Sequence, residues 1–248
     1  VLGFDGSAMS KSKGNVVDPE EMVGKYGADT CRLFVLFANA PEKDMPWIES
    51  SVGGPRKFVE RIYRFVTRNL GRGDQAVNLE GLPNTGADKR ALRKLHQTIQ
   101  KVTEDFNNRW HFNTSIAALM ELLNTLNDED ANLSRGALDQ ILPALVLLIG
   151  PFAPYLAEEL WERLGETGPV FRQTWPKFDP ALAKEDAADV VLQVNGKVRG
   201  RLSVPFGTAQ AEIEKLALAD PKAQQFIDGK QVVKIIVVPD KLVNVVVR

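Results

Sequence analysis

The chain has 248 residues, of which 44% are hydrophobic and 25% are charged, a composition that excludes a disordered or fibrous protein. The longest apolar run, residues 142–154, is interrupted by proline and glycine and is too short to span a bilayer. One cysteine and two histidines exclude an internal disulfide and a His/Cys cluster of metal-ligand spacing, so we predict no metal site.

The formal net charge of −1 means that a nucleic-acid surface would require cations gathered on particular faces. The chain opens at Val1 without a basic and apolar leader, which we interpret as a start inside a longer protein. Together with the single Cys31, this predicts a cytoplasmic location.

Residues 1–15 are rich in Gly, Ser and Lys and have no helical or strand period, which predicts a loop. Asp18, followed by Pro19, predicts a capped helix start. We expect Asp29 to cap the next helix, which is apolar and mostly buried. These elements make up a first segment, residues 1–54.

Apolar residues then recur at helical spacing in several segments. The predicted helices cover 55–70, about 87–106, about 113–126, a stretch containing Leu138 to Leu148, and 155–164. Because amphipathic helices joined by short polar connections pack side by side, we predict an antiparallel helical bundle over residues 55–176.

After the bundle, residues 177–188 form an acidic linker without an apolar stripe, which predicts that the following domain moves relative to the bundle. Alternating apolar residues then predict a small α+β domain of ββαββ order over residues 189–248. Its predicted strands and helix cover 190–194, 198–204, 208–219, 232–238 and 242–247. The predicted fold class is therefore mainly α, with a small α+β terminal domain.

Asn195-Gly196 is a strong hairpin signal in this domain. A two-residue turn with a regular ladder would mix cations with apolar residues on one face, so we predict a three-residue loop with a bulge at Gly196. That register would place Lys197, Arg199 and Arg201 together on the solvent face, at a spacing suited to phosphates. Solubility or edge protection is the alternative role for these cations.

A loop of small residues and lysines occupies the first segment: Met9, Ser10, Lys11, Ser12, Lys13, Gly14 and Asn15. Two ammonium groups beside small residues can wrap a polyphosphate, although the spacing is not that of a P-loop. Taken alone, such a loop is more typical of a solvated basic segment.

The surroundings of this loop make it more specific. Val17-Asp18-Pro19, Tyr26-Gly27-Ala28-Asp29, Arg32 and Trp47 follow it in an order that resembles the signature loop and stem-contact segment of class I aminoacyl-tRNA synthetases. Residues 151–161 resemble a helix of the anticodon-binding bundle in the Leu, Ile, Val and Met members. Residues 193–199 resemble the terminal domain of the bacterial-type leucyl family, which disfavours the isoleucyl, valyl and methionyl families.

The resemblance implies roles for the loop. Lys11 would contact ATP phosphates and stabilise the charge on pyrophosphate as leucyl-adenylate forms, with Mg²⁺ accompanying ATP; Met9, Ser10 and Ser12 would shape the loop. The chain departs from the family pattern at Ala8, where a lysine is usual, so any role of that first lysine is in doubt.

The resemblance also implies partners. The parent protein would be a leucine–tRNA ligase that binds tRNA(Leu), with catalytic and editing domains preceding Val1. We expect this chain to be a monomeric tRNA-binding portion that does not catalyse the reaction by itself. A stand-alone or split-enzyme RNA-binding subunit acting in trans is the alternative.

Four cations share one stripe of the helix predicted over 55–70: Lys57, Arg61, Arg64 and Arg68. The resemblance places this helix in the tRNA-binding bundle, and we therefore expect phosphate contacts that provide affinity rather than sequence reading. A solvated face that pairs with Glu60 is the alternative.

We assign no catalytic role to His96 and His111, which we expect to be satisfied or solvated. Trp110, Trp161 and Trp175 are expected to pack in the core or at a domain junction rather than to stack on bases.

Overall fold

The computed structural model describes residues 1–3, 6–40, 42–71, 86–108, 110–184 and 187–248. They divide into two compact units, Val1–Ala183 and Lys184–Arg248. The predicted fold class, a helical bundle followed by a small α+β domain, is confirmed. Within the described ranges, no helix is long and apolar enough to cross a membrane.

The first unit begins with a loop that contains a short 3-10 turn, Lys11–Lys13. Helices α1 (Pro19–Tyr26) and α2 (Ala28–Ala38) follow. Asp18 caps α1 as predicted, because its Oδ1 accepts a 2.9 Å hydrogen bond from the backbone N–H of Glu20.

Five helices then build the bundle: α3 (Gly53–Asn69), α4 (Gly86–Asn108), α5 (Phe112–Glu129), α6 (Arg135–Ile149) and α7 (Pro154–Arg163). Their apolar stripes meet in one continuous core, with fully buried members that include Phe65, Leu123, Leu145 and Phe152. Burial of this apolar surface, at about 25 cal/mol per Å², is the main contribution to the stability of the unit.

The segment after the bundle is held against α4, contrary to the prediction of an unpinned linker. Phe178 packs against the bundle core, and a short helix, α8 (Pro180–Ala183), contacts α4. His96 Nδ1 accepts a 2.9 Å hydrogen bond from the backbone N–H of Asp179. The linker prediction is therefore wrong for residues 178–183, because Phe178 and these polar contacts supply the anchorage that an apolar stripe would have given.

The second unit is a four-stranded sheet with helices on one face. Its elements are β1 (Ala187–Val194), β2 (Lys197–Pro205), α9 (Gln210–Ala219), α10 (Pro221–Ile227), β3 (Val232–Val238) and β4 (Leu242–Val247). The strand order is β2-β1-β4-β3, with β1 and β4 parallel and the outer pairs antiparallel. Val190, Leu192 and Val245 pack against Ile213 of α9 in its core.

Helix α10 was not predicted from the sequence. Asp220 is its N-cap: the carboxylate Oδ1 accepts hydrogen bonds from the backbone N–H groups of Lys222 and Ala223 at 2.9 and 3.0 Å. Pro221 occupies the first helical position. An Asp-Pro pair of this kind is a helix-start signal, but a helix of only seven residues is too short to show a helical period of apolar residues.

The turn between β1 and β2 has two residues, not the predicted three. Val194 pairs with Lys197, and the intervening Asn195 and Gly196 have φ angles of 50° and 75°. Two successive left-handed residues match the twist of the flanking strands. The prediction of a three-residue loop is therefore wrong.

The extra residue lies inside β2 instead of in the turn. Gln193 pairs with Val198 but Leu192 pairs with Gly200, so Arg199 is the bulged residue. Beyond the bulge, Val190 pairs with Leu202 and Ala188 with Val204, so apolar residues of both strands share a face there, whereas Val198 is 61% exposed. A three-residue loop would have paired Val191 with Arg199 and Asp189 with Arg201, whereas Val191 pairs with Arg201 and Asp189 with Ser203.

Candidate nucleic-acid interface

Asn15 is the centre of the lysine-rich loop. Its side chain is buried, its Oδ1 accepts a 2.9 Å hydrogen bond from the backbone N–H of Ser10, and its Nδ2 donates to Ser7 Oγ at 3.0 Å. Gly14 has a φ of 65°, which glycine adopts without strain. The loop thus closes around a buried amide. Ala8, which replaces the usual lysine, forms a bridge with Leu2.

Lys11 and Lys13 are exposed on the 3-10 turn. Neither has an ion-pair partner among the described residues. Ser10 Oγ and Ser12 Oγ lie 2.9 Å apart beside them. Two solvated ammonium groups next to small side chains form a surface that a polyphosphate can approach.

Backbone contacts attach this loop to the rest of the first unit. The N–H of Leu2 donates to the carbonyl of Met45 at 2.8 Å, and the N–H of Trp47 donates to the carbonyl of Leu2 at 2.9 Å. The ring of Trp47 meets that of Phe34 edge-on, with centroids 4.9 Å apart. The base of the loop is therefore connected to α2.

Asp29 does not cap α2 as predicted, but caps α7. Its carboxylate accepts hydrogen bonds from the N–H groups of Leu156 at 2.6 Å and Tyr155 at 3.4 Å. Burial raises the pKa of Asp29 above its usual value, although these hydrogen bonds and the nearby Arg32 oppose the rise. Arg32 Nη2 also donates to the carbonyl of Pro151 at 3.1 Å. Two side chains of α2 thus fix the loop-bearing segment to the bundle.

Two of the four cations on α3 are engaged with the following helices. Arg61 Nη2 donates to Asn124 Oδ1 at 2.6 Å. Arg68 Nε lies 2.7 Å from Asp130 Oδ2, and its Nη2 donates to Asn127 Oδ1 at 2.6 Å. Arg61 and Arg68 therefore contribute to the packing of α3 against α5 and the turn that follows it.

The other two cations of the stripe are more accessible. Arg64 is 71% exposed and lies 3.5 Å from Glu60, a weak contact of the kind that the solvated-face alternative proposed. Lys57 has no ion-pair or hydrogen-bond partner among the described residues. Lys57 also borders a cavity of 460 Å³ between α2 and α3. Of the four, Lys57 and Arg64 are the best placed to meet an external phosphate.

The hairpin cations do not form the predicted row. The guanidinium of Arg199 stacks over the Phe226 ring of α10, 3.5 Å from its centroid, and its Nε is buried without a hydrogen-bond partner among the described residues. Arg201 pairs with Val191 on the opposite, open face of the sheet and is exposed. The prediction of one shared face is wrong because the bulge turns Arg199 toward the helices.

The tryptophans differ in their surroundings. Trp161 is buried, and Trp175 Nε1 donates to Thr103 Oγ1 at 2.9 Å, as expected of packing side chains. Trp110 is 63% exposed and has a φ of 53°, so the expectation of core packing is wrong for it. No feature of its sequence neighbourhood separated it from the other two.

Two family comparisons agree with this geometry. Residues 88–215 match the family described as the anticodon-binding domain of tRNA ligase. Residues 1–47, which carry the lysine-rich loop and α2, match the class I tRNA synthetases of the I, L, M and V group.

Curated relatives cover almost the whole chain. A leucine–tRNA ligase of Solibacter usitatus is 54% identical over 244 residues, which are 98% of this chain and 29% of that protein. A leucine–tRNA ligase of Geotalea uraniireducens is 47% identical over 248 aligned residues, covering 98% of this chain and 30% of that protein. The chain thus spans less than a third of the length of these relatives.

A solved structure resembles the chain over both units. It is the ternary complex of Agrobacterium radiobacter K84 agnB2 LeuRS with tRNA and LeuAMS, with a TM-score of 0.82 and 31% sequence identity. The match covers 99% of this chain and 32% of that one.

Proposed function

The chain belongs to the anticodon-binding domain family of tRNA ligases, and we propose on that basis that it is the tRNA-holding portion of a leucine–tRNA ligase. The parent enzyme would join leucine to tRNA(Leu) through leucyl-adenylate, with ATP as the second substrate. The observation that carries the proposal is the 54% identity to a leucine–tRNA ligase along 98% of the chain.

Lys11 would act on the ATP side of this reaction. Its exposed ammonium group, with Lys13 beside it, would face the phosphates and stabilise the charge that develops on pyrophosphate. Gly14 and Ser12 leave room for close approach. Mg²⁺ would accompany ATP in this reaction.

The tRNA side of the function would use cations on two surfaces. Lys57 and Arg64 lie on α3, and Arg201 lies on the open face of the terminal sheet. Contacts from such side chains to phosphates provide affinity and register without reading the sequence. Arg61, Arg68 and Arg199, which have contacts within the chain, would serve mainly to hold these surfaces in place.

A binding titration tests the tRNA assignment. Labelled tRNA(Leu) is titrated with the chain at several salt concentrations, and the affinity should fall as salt rises because phosphate contacts release counterions. Lys57→Ala should lower the slope of log K against log salt by roughly 0.7 to 0.9. Lys94→Ala is the matched control, since Lys94 is paired with Glu121 at 2.6 Å and should leave the slope unchanged.

A pyrophosphate-exchange assay tests whether this chain catalyses adenylate formation by itself or needs the catalytic domains of the parent enzyme. The chain contains the loop lysine but, as proposed, no leucine pocket, so we expect no leucine-dependent exchange because the reactants are not oriented. Exchange above background by this chain alone would contradict that expectation. Failure to bind tRNA would contradict the proposed function itself. The proposal includes a cytoplasmic location and a monomer that works together with catalytic and editing domains.

A further inference from the structure

Trp110 lies between α4 and α5 in a backbone conformation that bulky residues rarely adopt. Among the described residues, the other non-glycine residues with positive φ are Asn195 and Asp240, whose short polar side chains tolerate it. Trp110 has a φ of 53°, and yet its large apolar ring is 63% exposed. A strained backbone that directs an aromatic ring into solvent suggests a binding role rather than a packing role.

Several contacts hold this conformation. The N–H of Trp110 donates to the carbonyl of Asp105 at 2.8 Å, and the carbonyl of Trp110 accepts from the N–H of Phe112 at 3.0 Å. The rings of Trp110 and Phe112 meet edge-on with centroids 5.8 Å apart. Phe112 in turn packs against the core residue Phe152. The Trp110 ring thus contacts a neighbouring ring that belongs to the core packing, while most of its own surface stays open to solvent.

Two amide residues closely precede Trp110 along the chain, and His111, which follows it, lies 3.5 Å from Glu42. Asn107 and Asn108 end α4, and both are exposed. An aromatic face with hydrogen-bonding groups around it is the arrangement by which proteins hold an unpaired base, through stacking and contacts to the base edge. A surface that binds another protein would instead offer a contiguous apolar patch.

The other highly exposed aromatic side chains are in less suitable places. Tyr155, which is 71% exposed, borders a cavity lined also by Glu158, Glu159 and Glu162. Phe171 is 78% exposed and borders a mainly apolar cavity that also contains Glu158. Carboxylates repel a phosphate backbone, which makes Tyr155 a poor candidate for RNA contact. Phe171 already lies under the guanidinium of its neighbour Arg172, 5.7 Å from the ring centroid.

We propose that Trp110 is a stacking platform for one unpaired nucleobase of the bound tRNA, with the amides of Asn107 and Asn108 available to its edge. This inference rests on the proposed tRNA binding and adds to it a base contact that is independent of the cationic surfaces.

Tryptophan fluorescence can observe this contact directly. The chain has four tryptophans, and Trp47, Trp161 and Trp175 are buried or half-buried. Stacking on a base should quench the emission of Trp110 when tRNA is added, and Trp110→Phe should remove that quenching while it retains most of the affinity. Trp110→Gly should weaken binding about 5- to 150-fold, the effect of losing one stacked base.

Two further readouts separate stacking from a structural role. Trp110→Gly should leave the melting temperature at or above that of the unmodified chain, because glycine is unstrained at this φ. It should also leave the salt dependence of binding unchanged, because stacking releases no counterions. Phe171→Gly, which removes another exposed ring, is the matched control and should not change tRNA affinity.

The outcomes distinguish the two proposals. If the unmodified chain binds tRNA and Trp110→Gly binds equally well without loss of quenching, the stacking assignment is wrong and the proposed function stands. If the unmodified chain binds no tRNA, the proposed function fails and the stacking assignment fails with it.

Discussion

Asp29 Oδ2 in α2 accepts a 2.6 Å hydrogen bond from the backbone N–H of Leu156, 127 residues further along the chain, in the first turn of α7. The first N–H groups of a helix have no partner within it, so a carboxylate from another element can cap it. The contact connects the segment that bears Lys11 to the helical bundle.

We expect Asp29→Ala to lower the free energy of unfolding by about 1–2 kcal/mol, the usual cost of losing a helix cap. Asp29→Asn should retain much of that stability, because its carbonyl oxygen can still accept from Leu156. Urea denaturation of the two variants measures the difference. Equal stability of Asp29→Ala and the unmodified chain would show that the cap is dispensable.

The pH dependence of this effect has a definite sign. Burial raises the pKa of Asp29, so its stabilising contribution is complete below the unfolded pKa and is lost as pH rises through the folded pKa. The stability of Asp29→Asn relative to the unmodified chain should therefore increase from acid toward neutral pH. A constant difference would contradict the direction of the shift.

Asp105 should act in the opposite direction. Burial alone would raise its pKa, but hydrogen bonds from Lys101, Thr114 and Ser115 outweigh burial and hold it below the usual value. The stability that it provides is thus present above the unfolded pKa and is lost as pH falls through the folded pKa. The bonds from Thr114 and Ser115, at 2.6 and 3.0 Å, connect α4 to α5, whereas the bond from Lys101, at 2.6 Å, lies within α4.

We expect Asp105→Ala to cost about 2–4 kcal/mol at neutral pH, because it leaves buried donors unsatisfied. The cost should shrink in acid. Asp128→Ala removes an exposed carboxylate of α5 and serves as the control, with an expected change within about 0.5 kcal/mol. A cost for Asp105→Ala that is independent of pH would argue against the charged form as the source of stability.

His96 should control the anchorage of the segment after the bundle. Burial lowers the pKa of His96, although Asp179 opposes the shift, and the neutral Nδ1 accepts from the Asp179 N–H. This anchorage is present above the pKa that His96 has in the unfolded chain, and it is lost as pH falls through the lower pKa of His96 in the folded chain. The hydrogen-exchange protection factor of the Asp179 amide should drop over that range, and His96→Ala should show low protection at every pH.

The two arginines of the hairpin should separate in their effects. Arg201→Ala should weaken tRNA binding and lower the salt slope by roughly 0.7 to 0.9 without a change in stability. Arg199→Ala should lower the melting temperature of the terminal domain, because the guanidinium stacks on Phe226. Thermal denaturation and binding titrations of both variants test this. Equal changes in melting temperature and tRNA affinity for the two variants would show that the two arginines have the same role.

The sequence was sufficient for the features that depend on local patterns. The helical stripes through Ile62 and Ile99 predicted the bundle, and Asn195-Gly196 predicted the hairpin, because periodicity and turn preference are encoded within a few residues. Asp18 as a cap is equally local.

The predictions that were wrong concern features that depend on residues distant along the chain. Asp29 could not be assigned to Leu156 because its partner is chosen by the packing of α2 on the bundle. The bulge at Arg199 lies opposite Leu192 and Gln193, which also pair with β4, and the exposure of Trp110 depends on how α4 meets α5. Tertiary contacts determine the cap partner, the place of the bulge and the exposure of the ring, and a short window of sequence does not contain these contacts.

The parallel pairing of β1 with β4 has a consequence for the order of folding. Val191 of β1 pairs with Leu242, so the centre of the terminal sheet closes only after about fifty intervening residues have been made. β4 is the last of the four strands along the chain and supplies Val243 and Val245 to the core. During synthesis from the amino terminus, the hairpin of β1 and β2 would leave the ribosome first with an unpaired edge, while the bundle could already be folded. The terminal unit therefore becomes a stable body only once its final strand is inserted in the middle.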